Sequence, residues 1–325
     1  LSAVDRPSAG RIRRVAQGLA REGLYYPLLL ERRARRAGAD LVHCTHAAPA
    51  VTRRLPLVVT VHDLLPLRFP RLFPRATVVH TRASLRVVRS AHRILTNSEH
   101  TRAEVLELLG VPPERVTATP FGIEARFRPL QSDPDWLLRR FGLRAPYLLA
   151  VGTLEPRKNL EGVLRAFDLL APRFPGLSLA VVGGKGWRDG MLDSELRRPR
   201  EDVVATGFVD DDELVRLYSA AACFVFPSLA EGFGFPPLEA MACGAPVVTS
   251  DRPALPEVVG DAALLTDPTH PEAIATAVER VLSSPQLVAE LRARGRARAA
   301  GFTWRSCAER TAAAYAEVLD DPGRA

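Results

Sequence analysis

Two carboxylates, Glu231 and Glu239, bracket the segment EGFGFPPLE, with seven residues between them. The segment follows the apolar run CFVFPS at 223–228, which predicts a buried strand, and it leads into a helix predicted over 237–243. A glycine-containing loop at a helix N-terminus can present backbone N–H groups to a phosphate, whose charge the helix dipole favours. Carboxylates instead accept hydrogen bonds from hydroxyl groups. Backbone N–H groups that can donate to a phosphate, next to carboxylates that can accept from hydroxyl groups, predict a nucleotide-sugar site.

Only two of the 44 basic residues are lysines, and both follow predicted strands. Lys158 lies beside Arg157 in TLEPRKN, and Lys185 follows Gly184 in VVGGKGW. An ammonium group acts as a point charge on a phosphate and is not interchangeable there with a guanidinium group. We expect Arg157 and Lys158 to bind a diphosphate, and VVGGKGW to form a second wall of the donor pocket. The alternative is that two lysines lie in these loops by chance.

Histidines occur near the ends of predicted strands in the first half. His62 and Asp63 can contact a sugar hydroxyl or a leaving phosphate, or they can form a structural pair. His43 and His46 do not predict a metal site, because in a strand they point to opposite faces. The run Asp210 to Asp212 precedes a predicted helix, where acidic residues serve as caps. We therefore predict no metal site.

Strand-like and helix-like runs alternate along the chain. Apolar strands separated by helices predict parallel sheets covered on both faces, with ligands at the carboxyl ends of the strands. The predicted strands are 41–46, 57–63, 93–98, 116–122, 147–153, 177–184, 203–209, 223–228, 246–250 and 262–267. The main predicted helices are 75–90, 99–109, 159–171, 212–222, 237–243, 271–283 and 285–299.

The 325 residues suffice for two α/β domains. We predict a first domain at 1–126, a linker rich in proline and charge at 127–146, a second domain at 147–300 and a final helix at 301–325. The first domain offers only four clear strands, so we expect its first elements to be missing or divergent.

Charge is distributed unevenly. Residues 1–125 contain 20 Arg and 10 acidic residues, whereas the remainder contains 24 basic and 27 acidic residues. The basic first half indicates an anionic partner such as a lipid head group or a phosphorylated acceptor, or simply a solvated surface. No motif indicates nucleic-acid binding.

The four separated cysteines indicate free thiols in a reducing cytoplasm. No apolar run is long enough for a spanning helix.

These motifs, in order, resemble the retaining glycosyltransferases of family 4. That family has the α/β GT-B fold, in which two Rossmann-like domains with parallel sheets face each other across a cleft and a C-terminal helix crosses back to the first domain. The resemblance runs from about residue 40 to residue 320. It rests on TVHDLLPLRFP, ILTNSEHTRAEVL, VTATPFGIE, AVGTLEPRKNL, VVGGKGW, TGFVDDDELVRLYSAA, EGFGFPPLEAMACGAPVVTSD and FTWRSCAERT. The glycine-rich loop that follows the first strand in the family has only SAGR at 8–11 as a counterpart in this sequence.

The resemblance implies a role for each candidate residue. Glu231, His62, Arg157 and Lys158 would form the catalytic group, with the two cations on the diphosphate and both Glu231 and His62 on the transferred sugar. Glu239 would hold the ribose hydroxyls. The other implied positions are Gly232, Phe233 and Gly234 at the sugar and phosphate, Gly152, Thr153, Gly184 and Lys185 at the donor, Phe208 and Val209 at the base, and Asp63 and Gly122 on the acceptor side.

The implied reaction is a metal-independent hexose transfer with retention of configuration and without a cofactor. Mannose from GDP-mannose is the expected donor, and a lipid-linked or glycan molecule is the expected acceptor. The expected location is the cytoplasm, with a peripheral position on the inner face of the membrane. Alternatives are transfer to a small secondary metabolite and an inactive protein that binds nucleotide or lipid.

Overall fold

The computed structural model describes residues 25–26, 28–48, 50–131, 133–184 and 200–320. The chain divides into two compact units, Leu1–Thr119 with Ala308–Ala325, and Pro120–Cys307. Among the described residues, each unit contains one sheet in which every strand pair is parallel. The predicted pair of parallel-sheet α/β domains is therefore confirmed.

The first unit contains a four-stranded sheet in the order β1-β2-β3-β4. Its strands are β1 (Val42–Cys44), β2 (Leu57–Val61), β3 (Arg93–Thr96) and β4 (Val116–Ala118), and its helices are α1 (Leu30–Arg36), α2 (Leu65–Arg68), α3 (Arg75–Val88) and α4 (Glu99–Leu109). All five residues of β2 are buried, as expected for a strand covered on both faces. The first elements expected to be missing or divergent fall outside the described residues.

The second unit contains a six-stranded sheet in the order β10-β9-β8-β5-β6-β7. Its strands are β5 (Tyr147–Val151), β6 (Ser178–Val182), β7 (Val203–Gly207), β8 (Cys223–Phe226), β9 (Val247–Ser250) and β10 (Leu264–Thr266). Its helices are α5 (Pro134–Phe141), α6 (Leu160–Leu170), α7 (Asp211–Ala220), α8 (Phe235–Ala242), α9 (Leu255–Val259), α10 (Pro271–Ser283) and α11 (Pro285–Ala300). Strands β5 and β8 are neighbours, so the loops that follow them leave the same edge of the sheet.

The last helix, α12 (Trp304–Leu319), starts among residues of the second unit and continues in the first. Its residues Ala314 and Val318 are buried in a cluster with Val58 and Leu95 of the first sheet. His43 fixes the same helix, because its Nδ1 lies 2.6 Å from the Tyr315 hydroxyl oxygen. No helix in the described part of the chain has the length and apolar character needed to cross a membrane.

The bounds of the units differ from those expected from the sequence. Residues 120–126 and 301–307 group with the second unit. Helix α5 lies inside the predicted linker, 127–146, and its Leu137 is buried in the core of the second unit. The proline and charge of this segment reflect the start of a helix, because Asp133 accepts a hydrogen bond from the backbone of Trp136 and Pro134 follows it.

Candidate functional site

The loop after β5 approaches the loop after β6 closely, and glycine makes this possible. A Cβ atom on Gly183, which has φ +154°, would lie 2.0 Å from the carbonyl oxygen of Gly152. The backbone N–H of Leu154 donates to the carbonyl of Gly184 at 3.0 Å. Thr153 lies between these contacts and is exposed. Lys185 lies outside the described residues, so its predicted place in this wall stays a prediction.

Glu231 lies at the centre of a buried ionic cluster. Its Oε2 accepts a hydrogen bond from Nη1 of Arg157 at 2.7 Å, and its Oε1 accepts one from Nζ of Lys158 at 2.6 Å. The hydroxyl of Ser228 also donates to Oε1, at 2.8 Å. The cluster therefore joins the loop after β8 to the loop after β5, and it brings three of the four predicted catalytic residues together.

The protonation of this cluster follows from burial and charge. Burial tends to raise the pKa of Glu231, but the charges of Lys158 and Arg157 and the hydrogen bonds from Lys158 and Ser228 outweigh it and lower that pKa. Burial lowers the pKa of Lys158 against the opposing effect of Glu231. Glu231 is thus ionised at neutral pH and is held by cations that an anionic ligand could share.

The backbone around Arg157 is held from several sides. Its carbonyl accepts a hydrogen bond from the backbone N–H of Leu229 at 2.7 Å, and the Ser228 hydroxyl oxygen lies 2.9 Å from the same carbonyl oxygen. Asn159, with φ +54°, donates from Nδ2 to the carbonyl of Pro227 at 3.1 Å. These contacts fix the two cationic residues before any ligand binds, which reduces the entropy cost of binding.

Glu239 lies on α8, which starts directly after the glycine-containing loop. Gly234 has φ +127°, and a Cβ atom there would lie 2.8 Å from a methyl group of Leu255, so glycine is required. The hydroxyl of Tyr218 donates to Oε2 of Glu239 at 3.0 Å. Burial raises the pKa of Glu239 to about 7, although the Tyr218 hydrogen bond lowers it.

The pKa of Glu239 predicts a pH-dependent loss of stability. A carboxyl with a folded-state pKa near 7, against the ordinary value of 4.5, favours folding while it is protonated, and this contribution is lost as the pH rises from 4.5 through 7. The change Glu239→Gln keeps an acceptor for Tyr218 and removes the charge. We expect the variant to melt roughly 5 °C above the wild type at pH 8 and close to it at pH 4.5, in thermal unfolding monitored by circular dichroism. Equal melting temperatures at pH 8 would contradict a raised pKa.

The remaining donor-side candidates divide into exposed and buried groups. Phe208 is 85% exposed, whereas Val209 is 6% exposed and packs in the core. Phe233 is also a core residue, and its ring makes edge contacts with Phe121 at 5.7 Å and Phe302 at 5.9 Å. For Phe233, as for the buried Gly232 and Gly234, only the backbone can serve a ligand as predicted.

The candidates from the first half have local structural partners. Nε2 of His62 donates to the carbonyl of Thr45 at 2.7 Å, and a carboxylate oxygen of Asp63 accepts from the backbone of Leu65 at 3.1 Å, at the start of α2. Gly122 lies in the second unit rather than in the first, and a Cβ atom there would lie 2.0 Å from the backbone nitrogen of Trp304. Close packing therefore accounts for this glycine, and its acceptor-side role stays a prediction.

The residues interpreted as non-metal features have structural roles. Asp210 and Glu213 form a capping box at the start of α7, which confirms the interpretation of the acidic run as a cap. Nε2 of His43 lies 2.8 Å from the Thr60 hydroxyl oxygen. In the described part of the chain, no three His, Cys, Asp or Glu side chains group as metal ligands do.

Three polar residues of the site carry weak signals in the sequence. Ser228 and Tyr218 hold the two glutamates, and Glu155 ion-pairs with Arg157, with 2.8 Å between Oε1 and Nη2. In the sequence, Glu155 is marked as a site residue only by its position, directly before PRK and shortly after the apolar run of β5.

Comparison with protein families gives a match for each half of the chain. Residues 140–298 match the family model of glycosyl transferases group 1, and residues 4–127 match that of glycosyltransferase family 4. One similar solved structure is that of WaaG, a glycosyltransferase involved in lipopolysaccharide biosynthesis. The match covers 98% of this chain and 85% of the WaaG chain, with a TM-score of 0.71 and 19% identity. Another is Anabaena HepE in complex with UDP and glucose. That match covers 88% of this chain and 80% of the HepE chain, with a TM-score of 0.70 and 22% identity.

Two Escherichia coli proteins are similar in sequence. The O-antigen chain mannosyltransferase B is 38% identical over 268 residues, which are 79% of this chain and 69% of that protein. The serotype-specific mannosyltransferase WbdA is 30% identical over 286 residues, 85% of this chain, but the match spans only 35% of its length. The two family models, the relative that matches over most of its length and the two parallel-sheet units agree, and the chain belongs to the group 1 glycosyltransferases of family 4, with the GT-B fold.

Proposed function

We propose that the chain transfers mannose from GDP-mannose to a lipid-linked or glycan acceptor, with retention of configuration and without a metal. The observation that carries the proposal is the buried cluster of Glu231, Arg157 and Lys158. The similarity to two proteins named mannosyltransferases supports mannose as the sugar. GDP and the acceptor class follow from the family resemblance.

The proposed chemistry uses the cluster as a binding site for the leaving group. The bond between the sugar C1 and the phosphate oxygen breaks, the acceptor oxygen bonds to C1 on the same face, and its proton passes to the leaving diphosphate. Arg157 and Lys158 stabilise the charge that develops on that diphosphate, and backbone N–H groups at the start of α8 add to it. These two cations supply the positive charge for which other transferases use a metal ion, so we propose metal independence.

The two glutamates would take the hydroxyl groups of the donor. Glu231 is ionised and can accept hydrogen bonds from the sugar, while Glu239 can accept from the ribose in its ionised form. Phe208 offers an exposed ring on which the base could stack.

A thermal-shift screen tests the donor site first. The ligands are GDP, UDP, ADP and dTDP and the common nucleotide sugars of each. They are added one at a time in the presence of EDTA. A ligand that binds only the native state raises its melting temperature by mass action. We expect GDP and GDP-mannose to give the largest shifts, followed by mannose transfer to a lipid-linked acceptor in the same buffer. The absence of a shift with every nucleotide, or a shift only after metal is added, would contradict the proposal.

We also propose a peripheral position on an anionic membrane surface, with α3 as the contact. Residues 64–98 contain seven arginines and no acidic residue. Arg75, Arg82 and Arg86 are exposed, and their spacing of seven and four places them on one face of the helix. Val79 lies on the same face and is 66% exposed. Such a face fits anionic head groups around a small apolar contact.

The double change Arg82→Glu and Arg86→Glu tests this surface. We expect it to weaken binding to vesicles that contain phosphatidylglycerol by at least about tenfold, because each basic residue near such a surface contributes ~1 kcal/mol. Co-sedimentation measures the binding, and pure phosphatidylcholine vesicles give the background. The matched control is Arg292→Glu with Arg296→Glu, an exposed pair with the same spacing on α11. Equal losses for both pairs would indicate a general charge effect and contradict the role of α3.

A further inference from the structure

Glu155 is a buried carboxylate that the proposed chemistry does not use. It is 4% exposed, although it lies in a loop at the end of β5. Its Oε1 lies 2.8 Å from Nη2 of Arg157. Its Oε2 is buried and has no hydrogen-bond partner among the described residues. A buried carboxylate oxygen without a partner is costly while the group carries its charge.

The charges around Glu155 balance before a ligand binds. Arg157 and Lys158 face Glu155 from the same loop, and Glu231 faces it from the loop after β8. The two cations and two carboxylates sum to zero when all four are ionised. A diphosphate entering this group therefore meets no net attraction, and it adds negative charge next to a carboxylate that is already poorly solvated.

We propose that Glu155 takes up a proton from solvent when the donor diphosphate binds beside Arg157 and Lys158, so that the site acquires a net positive charge. The inference rests on the proposed donor site. A proton on Oε2 breaks no existing hydrogen bond, because that oxygen accepts none, and Oε1 continues to accept from Nη2 of Arg157. Burial already raises the pKa of Glu155 above its ordinary value, and the approach of a diphosphate raises it further.

Glu155 therefore positions the Arg157 guanidinium group and also makes diphosphate binding depend on pH. Nη1 of Arg157 is bound to Glu231 and Nη2 to Glu155, so Nη1 can turn to a phosphate while Glu155 still holds the guanidinium group. As the pH rises, the proton becomes harder to supply, and binding of the diphosphate weakens.

Calorimetry with GDP tests the inference. The heat of GDP binding at pH 7, measured in buffers with different ionisation enthalpies, gives the number of protons taken up. We expect the wild type to take up more protons than Glu155→Gln, by a substantial fraction of one proton per GDP. The difference between the two proteins reports only the proton uptake that depends on the Glu155 carboxyl.

Affinity and infrared spectra give independent measurements. We expect Glu155→Gln to bind GDP about as tightly as the wild type at pH 6 and severalfold more tightly at pH 8. A purely structural ion pair predicts weaker binding at every pH instead. In the wild type, GDP should produce a new carboxylic-acid carbonyl band in the infrared difference spectrum, and this band should be absent from the spectrum of Glu155→Gln.

Glu161→Gln, on the exposed start of α6, is the matched control and should follow the wild type. Equal proton uptake by the wild type and Glu155→Gln, with parallel pH profiles, would overturn this inference alone. Failure of the wild type to bind GDP would overturn the proposed donor site and this inference with it.

Discussion

Replacing Glu231 by Gln is expected to lower the rate of sugar transfer by roughly 10²–10³-fold while GDP binding is kept or strengthened. The carboxylate accepts from Arg157, Lys158 and Ser228, and its charge is the part of the cluster that a sugar hydroxyl can use. Glutamine keeps the shape and removes the charge. The two cations are then left without their shared counter-ion, which favours an incoming diphosphate. Steady-state kinetics with GDP-mannose and GDP titrations separate the two effects.

The stability of the Glu231→Gln variant has to be known before its kinetics are interpreted. Removing one partner from a buried ion pair can destabilise a fold, so its melting temperature is measured first, with and without GDP. Glu161→Gln, an exposed change in the same unit, serves as the matched control. Full activity of Glu231→Gln would remove Glu231 from the site. Parallel losses of activity and GDP binding would mean that it only shapes the site.

The sequence predicts the strands well because parallel strands are apolar on both faces. All ten predicted strands are present, and β5, β8 and β9 lie almost wholly in the core. The sheet order also explains why Arg157 and Glu231 meet, since they lie in the loops that follow the neighbouring parallel strands β5 and β8. What the sequence alone could not provide was the contact itself, because both residues could equally have faced separate parts of a ligand.

The helix inside the predicted linker has a local cause. Proline and charge at 127–146 suggested a linker, but Leu137 packs into the core from a helix whose amphipathic pattern is only eight residues long. The sequence predicts both Phe208 and Val209 at the base pocket, and that role stays a prediction, but the two side chains have different surroundings because neighbouring residues after a strand point in opposite directions. Only Phe208 is exposed. The sequence does not distinguish Glu155 as a site residue, because its neighbours Arg157 and Lys158 indicate phosphate binding.

Lys158→Ala is expected to weaken GDP binding by about 100-fold and guanosine binding by less than about threefold, consistent with the loss of a charged hydrogen bond at a desolvated site. Nζ of Lys158 lies 2.6 Å from Glu231 and 4.7 Å from the centre of the Phe226 ring, so the ammonium group is held at one position. A diphosphate can share this cation with Glu231, whereas a nucleoside lacks the charged group that would reach it. Titration calorimetry with both ligands measures the difference.

The comparison of two ligands also separates a direct contact from a collapse of the site. Without Lys158, Glu231 keeps Arg157 and Ser228 as partners, so part of the cluster is retained. A general disruption would weaken guanosine and GDP alike, and equal losses would therefore contradict the diphosphate assignment. Arg165→Ala, which removes an exposed cation from α6 in the same unit, should change neither affinity. Because the nucleoside is common to both ligands, the ratio of the two affinity losses reports on the diphosphate alone, whichever base the enzyme prefers.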